Sequence, residues 1–170
     1  MNLPPKFEVL VITLSDRAHR GEYEDLSGPM VKKRISEYFE TTGWSFNLNM
    51  TLIPDDFSML KELLEKGSSF YNIIITTGGT GIGPRDITVD TVKPMLSKEI
   101  PGIMEMIRVK YGMDKPNALL SRSVAGIIGK SLIYTLPGSV RAVDEYMDEI
   151  VKTLTHTIMM QHGIDKHGNQ

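Results

Sequence analysis

The chain has 170 residues, 41% of them hydrophobic and 24% charged, with a formal net charge of −2. That length suits one domain with one sizeable core, and the near-neutral charge does not mark a general nucleic-acid or membrane-surface binder. The absence of cysteine excludes disulfide scaffolds, thiolate metal sites and cysteine nucleophiles, and it fits the reducing cytoplasm. The opening MNLPPKFEVLV lacks a basic segment followed by a long apolar core, so no signal peptide is read. No apolar run approaches the roughly 20 residues that a membrane helix needs.

Strands and helices alternate along the chain. FEVLVITLS, Phe7 to Ser15, is apolar and β-branched, as a strand covered on both faces should be. DRAHRGEYED reads as a polar loop. A helix then begins near Ser27 and Pro29 and places Val31, Ile35, Tyr38 and Phe39 on one face. In FNLNMTLIPDD, Leu48, Met50 and Leu52 alternate with polar neighbours and predict a second strand. Asp56 can cap a helix that holds Leu60, Leu63 and Leu64 and ends at Gly67. YNIIITT is a third strand, the most buried by composition.

Thr88 can cap the next helix, with Val89, Val92, Met95 and Leu96 facing inward. A further helix enters through Pro101, but its Met104, Ile107, Val109 and Tyr111 do not form one clean stripe. VAGIIGKSLIYTLPG reads as two short strands around Gly129-Lys130, a hairpin. Ser139 caps a final helix in which Val143, Met147, Ile150, Val151, Leu154 and Ile158 recur at helical steps. Residues 161–170 read as a polar, flexible tail. This order predicts an α/β fold: a three-layer α/β/α sandwich with a mainly parallel sheet and an antiparallel edge hairpin.

In such sheets ligands bind at the carboxyl ends of the strands. The loops after Leu14, Ile53, Thr77 and Leu136 therefore carry the candidate residues. The first holds Ser15, Asp16 and Arg17, a hydroxyl, a carboxylate and a guanidinium suited to phosphate; on their own they better suit a strand-to-loop transition with a local Asp–Arg pair. The second holds Asp55 and Asp56, of which one can cap the helix that follows. Two acids there could also hold Mg²⁺ together with substrate phosphates. The third, TTGGTGIGPRD, offers glycines that let backbone N–H groups approach an anion, ahead of a helix whose start favours negative charge.

That third loop is neither of the common phosphate motifs. No Gly-Lys-Ser/Thr follows it, and Pro84 breaks the dinucleotide spacing. A tight strand–helix connection accounts for Gly78 and Gly79 but leaves Arg85 and Asp86 unexplained. An acid beside a phosphate cradle repels the ligand unless a cation or a reacting group intervenes, which favours a metal-assisted phosphate site. Leu136 to Ser139 form a turn and a helix cap. Ser121 and Arg122 add a hydroxyl and a guanidinium, and by themselves say little. His156, His162 and His167 straddle a helix end and the tail without a ligand spacing, and the methionines read as core filler.

SDRAHRGEYEDLSGP, LIPDD, TTGGTGIGPRDITVDTV, PGIMEMIR, ALLSRSVAGI and LPGSV occur in an order that resembles the MogA/MoaB family of molybdenum-cofactor biosynthesis proteins. The wording of SDR, GEYED and LIPDD is closer to MogA than to MoaB. The resemblance covers about Phe7 to Ile158 and implies one such molybdopterin-binding domain over residues 1–170, assembled as a homotrimer. It implies a cytoplasmic molybdopterin adenylyltransferase that moves AMP from ATP to the molybdopterin phosphate with Mg²⁺ and releases pyrophosphate. Handover to a separate molybdate-inserting protein would follow. The alternative is a non-catalytic molybdopterin-binding or scaffold protein of the MoaB type. The resemblance maps the functional, metal-holding acids onto Asp55 and Asp86. It makes Gly78, Gly79, Thr80 and Gly81 a phosphate cradle, with Ser15, Asp16, Ser121, Arg122, Pro137, Gly138 and Ser139 lining the substrate pocket.

Overall fold

The computed structural model describes residues 2–164. The strands are β1 (Phe7–Leu14), β2 (Phe46–Ile53), β3 (Ile73–Thr77), β4 (Lys98–Glu99), β5 (Ala125–Ile128) and β6 (Ser131–Leu136). The helices are α1 (Asp16–His19), α2 (Ser27–Thr42), α3 (Phe57–Gly67), α4 (Thr88–Val92), α5 (Pro101–Asp114) and α6 (Val140–Gln161). Short 3₁₀ turns follow α4 at Lys93–Met95 and α5 at Pro116–Leu120. The expected tail at 161–170 begins as the last residue of α6, and its residues 165–170, with His167, lie outside the described residues.

One six-stranded sheet runs in the order β2-β1-β3-β6-β5-β4. β2, β1, β3 and β6 are mutually parallel, whereas β5 and β4 add antiparallel pairs at the far edge. The pleat then sorts each strand between two cores. In β1, Val9 and Val11 face a core shared with α2, α5 and α6, while Leu10, Ile12 and Leu14 face one shared with α3 and α4. Both faces are covered, which is why the central strands read as continuous apolar runs rather than as alternation.

The helices follow the apolar faces expected of them. Val31, Ile35, Tyr38 and Phe39 of α2 pack against Phe7 and against Val143, Met147 and Ile150 of α6 in one core. Asp56 Oδ1 accepts from the Met59 N–H at 2.8 Å, and Ser139 Oγ accepts from the Ala142 N–H at 3.2 Å, so both expected caps form. The start of α2 works differently. Asp25 Oδ1 accepts from the Ser27 and Gly28 N–H groups at 3.0 and 3.1 Å, and neither Ser27 nor Pro29 serves as a cap.

Other expectations need correction. Thr88 is not a cap but the first residue of α4, and its hydroxyl donates to the Gly78 carbonyl at 2.8 Å. α4 is a single turn, because Pro94 lacks the N–H that would continue it. Met50 lies on an edge strand that the helices do not fully cover, and it is exposed. α5 buries Met104 and Ile107 but turns Val109 outward with Met106 and Met113, which explains its blurred stripe.

Ile133 is fully buried at the centre of β6, against Leu10, Ile74 and Val124 in the second core. Ile133→Ala is expected to lower unfolding free energy by about 2–5 kcal/mol. Urea titration should show a lower midpoint with an unchanged slope.

Candidate functional site

Because β2, β1, β3 and β6 run parallel, their carboxyl ends meet on one rim of the sheet. A cleft of about 580 Å³ opens there, lined from all of these ends by residues that include Ser15, Asp16, Asp55, Gly78, Gly138 and Ser139. Gly79 and Asp86 also line it, as do Arg17, Arg20, Tyr23 and Arg85.

Reciprocal bonds latch the first two loops together. The Asp16 N–H donates to Asp55 Oδ2 at 3.1 Å, and the Asp55 N–H donates to Asp16 Oδ1 at 3.0 Å. The guanidinium of Arg85 bridges them, donating to Asp16 Oδ2 and, at 3.3 Å, to the Asp55 carbonyl. With Asp56 committed to capping α3, Asp55 is the acid of the pair that faces the cleft.

The two carboxylates differ in character. Partial burial pushes the Asp55 carboxyl above the usual range, and the neighbouring charges of Asp16 and Asp86 add to this against the pull of the Asp16 N–H and Arg85. For Asp16 desolvation also acts upward, but the Asp55 N–H and Arg85 outweigh it and hold the carboxyl low. Asp86 Oδ2 accepts from the Gly83 N–H at 2.7 Å, which fixes this carboxylate against its own loop.

The glycine loop is anchored at its first residue. The Gly78 N–H donates to the Leu136 carbonyl at 3.0 Å, so it is committed to the fold and not to a ligand. Gly78 has φ +99°, and a Cβ there would lie 2.2 Å from the Leu14 carbonyl oxygen. Gly79 has φ +65°, and a Cβ there would meet Thr88 Oγ1 at 2.5 Å. Among the described residues, the N–H groups of Gly79, Thr80 and Gly81 make no hydrogen bond. Thr80 is buried behind the cleft, and neither it nor Gly81 lines the cavity wall.

Arg122 also departs from its expected place. Its guanidinium is engaged by the Gly81 and Asp86 carbonyls and by both oxygens of Asp90, on the far side of the loop. Ser121 Oγ bonds to Ser123 Oγ and to the Tyr146 hydroxyl, each at 2.9 Å. It lines a second, more apolar cavity of about 280 Å³ with Pro137, Ala142 and Tyr146. Ser139 borders both cavities.

Sequence reasoning named Arg17 and Arg85 on this rim but missed Arg20 and Tyr23. Arg17 lies over the Tyr23 ring, 5.0 Å from its centroid, and the Tyr23 hydroxyl bonds Ser15 Oγ at 2.8 Å. The polar run DRAHRGEYED gave no periodicity to rank these residues; only a strand end just before them pointed to the site.

Among the described residues, no three His, Asp or Glu side chains gather as a metal cage. Asp55 and Asp86 instead offer two hard oxygen donors beside free backbone N–H groups. That set fits Mg²⁺, which takes one or two carboxylates and fills its other positions with water and substrate phosphates.

Residues 10–156 match the family model described as "Probable molybdopterin binding domain". Over 150 residues the chain is 34% identical to molybdopterin adenylyltransferase of Helicobacter pylori, covering 87% of this chain and 84% of that one. It is 36% identical over 155 residues to gephyrin of Dictyostelium discoideum, covering 87% of this chain but spanning only 21% of that longer protein. The solved structure of the molybdopterin biosynthesis enzyme MoaB from Thermus thermophilus superposes with a TM-score of 0.79 at 34% identity, over 92% of this chain and 97% of that one. A family match over most of the length, joined to relatives of matching extent and fold, establishes that this chain belongs to the molybdopterin-binding domain family that includes MogA and MoaB.

Proposed function

We propose that the chain transfers AMP from ATP to the terminal phosphate of molybdopterin, with Mg²⁺ as the assisting cation. The observation that carries this reading is the pairing of Asp55 and Asp86 with the uncommitted Gly79 N–H on one cleft. The name of the Helicobacter pylori relative supports the same reaction. A phosphate oxygen of the pterin attacks the α-phosphorus of ATP, the bond from that phosphorus to the bridging oxygen breaks, and pyrophosphate leaves. No bond to the protein forms, so its work is positioning and charge stabilisation.

Each group has a part in that work. Asp55 and Asp86 would hold Mg²⁺, whose charge offsets the repulsion between two polyanions. Arg17, Arg20 and Arg85 line the same cleft and suit phosphate oxygens as forked donors. Gly79 supplies a neutral N–H donor at the cleft wall. The exposed ring of Tyr23 offers a flat face to a planar heterocycle. The smaller apolar cavity beside Ser139 extends the site for the second substrate.

The protein works in this reading as a cytoplasmic homotrimer that passes adenylylated molybdopterin to a molybdate-inserting protein. Support for self-association lies on the outer face of α5. Met106, Val109 and Met113 are exposed there, and Leu119 and Leu120 extend the apolar surface. No helix among the described residues is long and apolar enough to cross a membrane.

Incubation with molybdopterin, ATP and Mg²⁺ should release pyrophosphate, and Asp86→Asn should lower that rate by about 10²-fold or more. An unchanged rate overturns the mechanism, and pterin binding without any pyrophosphate would make the chain a binding module. Asp55 gives a pH test with a definite sign. Its folded-state pKa is raised, so its ionised form costs stability above that value, and that cost is absent below the unfolded value. Asp55→Asn should therefore melt higher than wild type at neutral pH while losing Mg²⁺-dependent turnover. In the metal-free protein, NMR titration of the Asp55 side chain should place its transition above the ordinary aspartate pKa of about 3.9. For the assembly, Val109→Glu should convert the trimer to monomer in light scattering with little change in the circular dichroism spectrum.

A further inference from the structure

The peptide carbonyls of Gly78, Gly79, Thr80 and Gly81 are each captured by a hydrogen bond from Thr88 or Arg122. Gly78 O accepts from Thr88 Oγ1 at 2.8 Å, and Gly79 O accepts from the Thr88 N–H at 3.0 Å. Thr80 O accepts from the Arg122 N–H at 2.9 Å, and Gly81 O accepts from Arg122 Nε at 2.6 Å. Two residues thus hold four consecutive carbonyls. In a trans peptide the C=O and the next N–H point in opposite directions. Fixing these carbonyls therefore turns the N–H groups of Gly79, Thr80, Gly81 and Ile82 away from Thr88 and Arg122. None of those N–H groups is bonded among the described residues.

Arg122 does more than Thr88. Its Nη2 reaches the Asp86 carbonyl at 2.8 Å, so one side chain ties Gly81 to Asp86 across the loop. Asp90 holds the guanidinium in a fork, at 2.7 Å through Nη1 and 3.1 Å through Nη2. Arginine's planar geometry permits this combination, and a lysine ammonium could reach only part of it.

We infer that Arg122, oriented by Asp90, is a positioning residue: its guanidinium holds the Gly81 and Asp86 carbonyls and so sets the Ile82 N–H and the Asp86 end of the loop for a phosphate group, without touching the substrate. The inference rests on the proposed phosphate chemistry of the cleft but not on adenylyl transfer itself. It takes Arg122 out of the pocket-lining set and gives it a structural role behind that set.

The test is amide NMR of the whole chain titrated with inorganic pyrophosphate in the presence of Mg²⁺. Wild type should show concentration-dependent shifts at the Ile82 and Asp86 N–H signals. Arg122→Lys and Asp90→Asn should keep the remaining spectrum while losing most of those shifts, and affinity should fall at least 10-fold. Adding guanidinium to Arg122→Ala should restore them in part. Parallel titrations with ATP and with molybdopterin identify whose phosphate the loop holds, since only that affinity should drop in Arg122→Lys. Shifts retained in Arg122→Lys would overturn the inference, as would a wild type with no response at these amides. Loss of the whole folded spectrum in all three variants would also overturn it, by making Arg122 a general stability residue. A wild type that binds pyrophosphate but does not adenylate would count against the proposed reaction and leave this inference standing.

Discussion

Gly78 sits where the ends of three strands converge. Its N–H is bonded to the end of β6, its Cα faces the end of β1, and it continues β3 itself. A Cβ at Gly78 would lie 2.2 Å from the Leu14 carbonyl, and one at Gly138 would lie 3.3 Å from the Gly78 Cα. The loops carrying Asp16, Asp86 and Ser139 can close on one another only because that point holds no side chain. The backbone conformation there, at positive φ, is also one that glycine alone adopts without strain. The cleft is thus built around a close packing of backbones, and the polar side chains stand at its margins.

Most of the fold was legible in the sequence because its signals were local. The runs at Phe7 and Ile73 are apolar on both pleats, as strands covered on both faces must be. Asp56 and Ser139 sit one residue before clear helical periodicity and do cap. Where local and tertiary demands diverged, the pattern misled. Thr88 has the chemistry of a cap, but it is already the first residue of α4 and its hydroxyl donates to the Gly78 carbonyl. Val109 is apolar and outward, a distinction that periodicity cannot make when both sides of a helix carry apolar residues.

The site was legible in part for the same reason. Strand-end position and residue type brought together Ser15, Asp16, Asp55, Gly78, Gly79, Asp86, Gly138 and Ser139, and these do share one cleft. The distinction between Asp55 and Asp56 needed coordinates, because adjacent acids differ only in which way each side chain turns. Arg122 said little by itself and entered the candidate pocket through the family resemblance. Its anion is Asp90, 32 positions earlier in the chain, and its other partners are carbonyls that have no sequence signature.

The bond from Thr77 Oγ1 to the Pro137 carbonyl joins residues 60 positions apart. Closing that span is an entropic cost that must be met before the rim exists at all, since β6 is the last strand to join the parallel set in chain order. The glycine loop takes its anchor from β6, through Leu136. Its geometry is therefore a late product of folding, dependent on contacts of high sequence separation. Nascent or partly unfolded chains would carry the complete glycine motif without its donor array, so the cleft reports on the integrity of the whole sheet.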